Sequence, residues 1–311
     1  MKTSQPAIGA GMRIVWWNTG LSPTRARSKL RTQHVAATAD VLIHLIDVAQ
    51  ADVIVLGEMS EASAWSLREA CTRARLEYNW LSAFHRAGRS RFSVCILSRK
   101  DRVRVEADEP ILFRDGKSVI KAGLYFAVRL LEAGEWCDLI VSHWPSRLHM
   151  DRHDSGRTHI AAFLRRWIED NLPGLDDDAN VVLIGDFNDE PFDEGLERYL
   201  HASRDRDKVK RNAALLYNPF WRHLSSFVPG DAAQCLSDPG TYFHRGGRDS
   251  WWRTFDQMIV SSAVLFGRAG WRLNEADTRV VPQPPSGLDV RSRHRFFDHL
   301  PIIGHLERLP T

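Results

Sequence analysis

Short apolar runs recur along this chain, and most of them stop abruptly at a polar residue. Residues 181–184 are four apolar side chains in a row, followed at once by Gly185-Asp186-Phe187-Asn188-Asp189-Glu190. A run of four to seven apolar residues is too short for a buried helix and reads as a buried strand. Comparable runs at 12–17, 52–56, 92–97, 121–131, 136–142, 255–261 and 302–306 read the same way. Between them lie segments of helical period. In 32–49, Val35, Thr38, Leu42, Leu45 and Ile46 share one side, and in 159–169 Ile160, Phe163, Leu164 and Trp167 share another. Residues 62–74 form a further helix and 194–200 a short one. Strands at 102–106, 121–131 and 136–142 follow one another without a helix and are expected in a largely antiparallel sheet.

Interleaved buried strands and one-sided helices confine the chain to layered α/β architectures. Neither a linker nor a short-period repeat interrupts the pattern. A single domain is therefore expected over 12–311, behind a loose tail at 1–11, with an irregular insertion at about 201–254. With 311 residues, 43% apolar and 26% charged, the chain can bury a substantial core, which argues against disorder. The net charge of +3 is too small to identify a polyanionic partner, yet compatible with one. The four cysteines form no C-x-x-C pair, and Cys95 and Cys137 sit inside apolar runs. A reducing, cytoplasmic compartment is expected. No apolar run is long enough for a membrane span, and the first residues lack the apolar stretch of a secretory signal.

The polar residues at the ends of these runs carry the chemistry. Asn18, Glu58, His143, Asp186 with Asn188, Asp256, and Asp298 with His299 each follow or adjoin apolar sequence. Taken singly, each has a plain structural use as a turn residue, a helix cap or a satisfied core histidine. Strands gathered into sheets can bring such distant positions into one cleft. Together they have the composition of a hard-metal site beside a proton-transfer group. Carboxylate and amide oxygens suit Mg²⁺ or Mn²⁺, and no cysteine cluster supports zinc.

Six short motifs carry a resemblance. Trp17-Asn18, Gly57-Glu58, Ser142-His143-Trp144, Gly185-Asp186-Phe187-Asn188, Phe255-Asp256-Gln257 and Phe297-Asp298-His299-Leu300-Pro301 occur in the order of the endonuclease/exonuclease/phosphatase, or DNase I-like, family. They span residues 12–306. The resemblance implies a four-layer α/β sandwich, two packed mixed β-sheets flanked by helices, with a cleft at one sheet edge. It also implies Mg²⁺-dependent hydrolysis of a phosphate ester, with Mn²⁺ as a substitute.

By the same resemblance, Glu58 is the principal metal ligand, with Asn18 beside it and Asp298 as a further ligand or a hydrogen-bond partner of an imidazole. Residues adjacent in an extended segment point to opposite sides, so a direct Asp298–His299 bond is not the expected geometry. Instead His299 is implied to pair with Asp256, which would fix the ring tautomer. His299 is then base or phosphate-orienting group. Asp186 orients or deprotonates water, Asn188 donates to a phosphoryl oxygen, and His143 is the acid or a second phosphate ligand. Asp189 and Glu190 have weaker claims, and Trp16, Trp17 and Trp144 read as aromatic supports of the cleft wall.

Arginines offer grips for the substrate. Arg86, Arg89 and Arg91 precede the 92–97 strand, and Arg147 lies four residues after His143. Arg147 and Arg91 are the phosphate-contact candidates. Residues 205–211 read as an exposed mixed-charge loop. Aromatics mixed with arginines in 216–221 and 250–253 either pack a long loop or stack on bases. The leading substrate is DNA, or nucleic acid more broadly. A phosphatase or phosphodiesterase acting on a small nucleotide, lipid headgroup or sugar phosphate is the alternative, and an inactive binding scaffold the more distant one.

Overall fold

The computed structural model describes residues 11–22, 28–72, 77–85, 93–116, 118–132, 134–225, 240–244, 250–281, 290 and 296–309. Two mixed sheets stack face to face. In the first, the strands run in the order β14 (Trp271–Leu273), β16 (Ile302–Arg308), β1 (Gly11–Asn18), β2 (Val53–Gly57), β4 (Val94–Arg99) and β3 (Tyr78–Ala83), and β15 (Arg279–Val280) also pairs with β16. In the second, the order is β5 (Val103–Asp115), β6 (Ser118–Leu130), β7 (Cys137–His143), β8 (Val181–Asp186), β13 (Asp256–Val260), β10 (Leu216–Tyr217) and β9 (Ala202–Ser203). β1 and β2 run parallel through the crossover helix α1 (Ser28–Asp47), as do β7 and β8 through α3 (Ser155–Asn171). The remaining neighbours in these two orders are antiparallel, except β9 and β10. β11 (Tyr242–Phe243) and β12 (Trp252–Arg253) pair with each other as a separate antiparallel ribbon. Together with α2 (Glu61–Thr72), the helices make the outer layers of a four-layer sandwich.

The pleat explains why the apolar runs are continuous. In β7, Cys137, Leu139 and Val141 enter the core between the sheets while Ile140 packs under α3. In β8, Val182 and Ile184 point inward to the partner sheet, and Val181 and Leu183 point to α3. β13 repeats this with Met258 and Val260 on one side and Ile259 on the other. A strand covered on both faces needs apolar residues at every step. The covering helix α3 starts at Asp154, whose carboxylate accepts from Gly156 N at 2.8 Å, and it buries Ile160, Ala161, Leu164 and Ile168 at helical spacing.

Some elements differ from the sequence reading. Residues 205–211, expected as a loop, contain a short helix, α4 (Arg206–Arg211). Asp205 caps it by accepting from Lys208 N, and Val209 anchors it in the core. The 201–254 segment is not uniformly irregular, because β9 and β10 extend the edge of the second sheet. β3 was not foreseen. It is an edge strand with a broken burial pattern, so it lacks a clear two-residue period. The Arg86–Arg89–Arg91 cluster lies outside the described residues. Cys71, Cys95 and Cys137 are free and buried, and burial pushes the Cys71 and Cys95 thiols up to about 12. Among the described residues, no helix is long and apolar enough to cross a membrane.

Candidate active site

The site continues the inward-facing apolar ladders. On β7 the step after Cys137, Leu139 and Val141 is His143; on β8 the step after Val182 and Ile184 is Asp186; on β13 Asp256 precedes Met258 and Val260. Register binds the three together, since His143 pairs with Asp186 and Asp186 with Asp256. From the facing sheet, β1 contributes Trp16 and Asn18, two residues apart, and Asn18 pairs with Gly57 directly before Glu58. His299 enters from the loop before β16.

Within this space Asp256 holds the imidazole. His299 Nδ1 lies 2.7 Å from Asp256 Oδ2, and Trp16 Nε1 donates to Asp256 Oδ1 at 2.6 Å. Asp256 is fully buried, and both its oxygens accept a hydrogen bond, which is the coordination of a carboxylate. Burial alone would lower the His299 pKa. The negative charges of Asp256, Asp186 and Asp298 outweigh it and raise the ring to about 10. Nε2 is 3.7 Å from Asp186 Oδ2 and 4.0 Å from Asp298 Oδ1. The Asp298–His299 separation is too long for a hydrogen bond. Trp17 Nε1 donates to His299 O at 3.2 Å, and the Tyr242 ring lies 4.6 Å from the imidazole.

On the other side, Asn18 Nδ2 is 3.2 Å from Glu58 Oε1 and 3.4 Å from Asp186 Oδ2. His143 Nε2 stands 3.8 Å and 3.7 Å from the same two oxygens. Burial pushes the Glu58 carboxyl up, while His143, His299 and Asn18 pull it back.

Two of these residues have a strained backbone. Glu58 (φ 52°) and Asn188 (φ 50°) occupy the left-handed region. For a residue with a side chain this costs about 1–3 kcal/mol and persists where the surroundings over-determine it. Just before Asp186, Gly185 has φ 153°, and a Cβ there would fall 1.8 Å from Ser142 O on β7. Only glycine fits this step. The glycine of the Gly185-Asp186-Phe187-Asn188 stretch therefore lets β8 reach the cleft mouth.

Oxygen donors converge here. Asp186, Asp256 and His299 can each offer a ligand atom within 4.8 Å of the others. Asp256 is already engaged at both oxygens, and His299 gives its Nδ1 to Asp256. The carboxylates of Glu58 and Asp186 remain, oxygen donors of the kind a hard divalent cation takes. Asn18 presents its Nδ2 to both and its Oδ1 to Gly20 N, so it would ligate only with its amide turned over. Asp298 has a side chain 45% exposed at the rim.

The second half of the loop is organised differently. Arg157, 1% exposed on α3, stands 3.1 Å from Asp189 Oδ1 and donates to Pro145 O at 2.7 Å and Met150 O at 3.0 Å. Arg147 donates to Asn188 O at 2.9 Å, bonds the Asp193 carboxylate and lies 4.6 Å over the Phe255 ring. Arg152 Nη2 is 2.5 Å from the same carboxylate at Oδ1. Glu190 accepts from Thr254 N at 3.0 Å. Asp189 and Glu190 thus fasten the loop, and Arg147 has its guanidinium taken up there instead of open to a phosphate. Asn188 N donates to Asp186 Oδ1 at 2.9 Å and its side chain donates to Trp144 O at 3.0 Å, which leaves one amide hydrogen for a ligand. Arg91 lies outside the described residues.

Sequence reasoning took Trp16 as a support of the cleft wall, which it is, but missed its hydrogen bond to Asp256, and it missed two further contributors. The two-residue spacing of Trp16 from Asn18 was the available signal. Tyr242 and the buried Arg157 gave none.

A four-layer α/β sandwich with this cluster at one edge of both sheets defines the DNase I-like class of hydrolase. Residues 24–284 match the model of the Endonuclease/Exonuclease/phosphatase family, and the chain belongs to that family. Its members cleave phosphoesters with a divalent metal. No curated protein sequence matches the chain. Solved structures with similar folds include the human Nocturnin catalytic domain with bound sulfate (14% identity, TM-score 0.59, 97% of this chain and 96% of that one). D. rerio TDP2 with a single-stranded DNA product aligns at 17% identity and TM-score 0.58, over 96% and 99%. A mannosyl-6-phosphatase of Bacteroides thetaiotaomicron aligns at 12% and 0.60, over 95% and 99%.

Proposed function

We propose that the chain is a Mg²⁺-dependent phosphoesterase acting on phosphodiester bonds, with DNA as the leading substrate. The observation that carries this reading is the convergence of Glu58, Asn18, His143, Asp186 and the Asp256–His299 pair at one edge of two sheets. Glu58 and Asn18 would hold the ion, with Asp298 as the third candidate. When bound, the ion supplies positive charge to a phosphoryl oxygen.

The protein's own groups do the rest. Asp186 Oδ2 accepts the proton of the attacking water as the new O–P bond forms. His299, held cationic by Asp256, donates Nε2–H to a phosphoryl oxygen and acts as the orienting group, not the base. Asn188 adds its remaining amide hydrogen. His143 faces the same space and gives a proton to the leaving oxygen as the P–O bond to that oxygen breaks.

Phosphate-monoester cleavage on a small substrate is the second reading. It is favoured by one observation, the engagement of Arg147 within the loop, which removes a grip on a neighbouring phosphate. Supercoiled plasmid and p-nitrophenyl phosphate, each with Mg²⁺ and with EDTA, separate the two. Nicked plasmid without monoester turnover is expected. Monoester turnover on an intact plasmid would overturn the nuclease reading.

A further inference from the structure

A second concavity of about 530 Å³ lies beside the cleft, between α2 and the edge strand β3. Helical spacing places Glu61, Trp65 and Arg68 on one face of α2, and the two-residue period places Trp80, Ser82 and Phe84 on one face of β3 and its extension. Trp65 is 63% exposed, which is unusual for so large an apolar ring.

Its location ties it to the chemistry. Leu56, two residues before Glu58, pairs with Cys95 on β4, and Cys95 pairs with Ser82 on β3. Ser82 thus lies two strand spacings, roughly 10 Å, from the end of β2. The ends of β1, β2 and β3 nearest Asn18, Glu58 and Ala83 all form one rim of the first sheet. The groove begins where Glu58 leaves off, since Glu61 lines it three residues later.

Its lining matches one ligand chemistry. Aromatic rings offer faces for stacking, a guanidinium adds cation–π contact, and a serine hydroxyl and a carboxylate offer a donor and an acceptor to polar edges. A nucleobase has a flat π face with polar edges. Resting on the phosphodiester reading above, we infer that the α2–β3 groove holds an unpaired base of a single-stranded nucleic acid whose backbone continues into the cleft. The enzyme then prefers single-stranded or frayed substrate, because a base stacked in its duplex cannot enter the groove.

The test measures binding of a fluorescein-labelled dT₁₂ to the whole protein in EDTA, where no turnover occurs. Trp65→Ala is expected to weaken binding about 10-fold, within the range for losing one stacked base, and Trp65→Phe to restore most of it. Trp65 is largely exposed, so both variants fold, and their far-UV circular dichroism checks this. Equal affinity of wild type and Trp65→Ala, or no binding by the wild type, overturns the inference. Turnover of bis-p-nitrophenyl phosphate by the wild type with Mg²⁺ is read separately. Turnover without Trp65-dependent oligonucleotide binding removes the groove and leaves the phosphoesterase; Trp65-dependent binding without turnover does the reverse.

Discussion

The loop that follows β8 holds two carboxylate clusters side by side, and they handle charge in opposite ways. Asp186 projects into a cleft where Glu58, Asn18, His143 and His299 stand at 3.2–3.8 Å from one another's polar atoms, close but mostly beyond hydrogen bonding. Three to seven residues later, Asp189 and Asp193 are locked by Arg147, Arg152 and Arg157, all three contributed by the segment that follows His143. The first cluster keeps its electrostatic capacity for a ligand. The second consumes its capacity internally and ties the loop after β8 to the loop after β7. Proximity of acids and arginines in sequence does not reveal which arrangement results. What separates them is whether arginines arrive within bonding distance of the carboxylates.

If this division is right, substitutions in the two clusters fail in different ways. The largest effect belongs to the cleft. His299→Ala and Asp186→Asn are each expected to lower kcat by about 10³-fold or more, since each removes a group acting on the reacting phosphate. Urea unfolding of Asp186→Asn is expected to stay close to wild type, whereas His299→Ala also leaves the buried Asp256 without its cation and loses stability as well as turnover. A large stability loss with intact turnover would merge the two clusters. EDTA is expected to abolish turnover, with activity returning on added Mg²⁺, and Glu58→Gln should raise the metal concentration needed for half activity by about 10-fold or more, roughly the loss of one charge-assisted ligand.

The charge cluster should respond in stability first. Arg157→Ala leaves Asp189 buried without its closest cation and is expected to cost about 3–5 kcal/mol in urea unfolding. Loss of kcat in that variant without loss of stability would make Arg157 part of the reaction. Arg147→Ala is the smallest effect. Its guanidinium is partly exposed and shares Asp193 with Arg152, so a loss of about 1–2 kcal/mol is expected, with KM changing less than 10-fold. A KM increase above 100-fold would return Arg147 to the role of phosphate ligand.

The sandwich was legible in the sequence because strands covered on both faces write themselves as unbroken apolar runs, and because the last inward step of each run is polar. Val182, Ile184 and Asp186 share a face by period alone, as do Val141 and His143. Pairing between those ends was not legible. It depends on register across sheets, so the hydrogen bond from Trp16 to Asp256 could not be read from either residue. The use of Arg147 was hidden for the same reason, since Asp193 lies 46 positions away in sequence. Edge elements such as β3 and the short α4 were lost because a two-sided or single-turn burial pattern carries little periodicity.

The central claim is that the Asp186–His299–Glu58 cleft hydrolyses phosphodiesters with a divalent metal. Release of p-nitrophenol from bis-p-nitrophenyl phosphate, followed for wild type, wild type with EDTA, and His299→Ala, tests it most directly. The account predicts Mg²⁺-dependent release by the wild type and near-complete loss in the other two. Release that is unchanged by EDTA or by His299→Ala would contradict it.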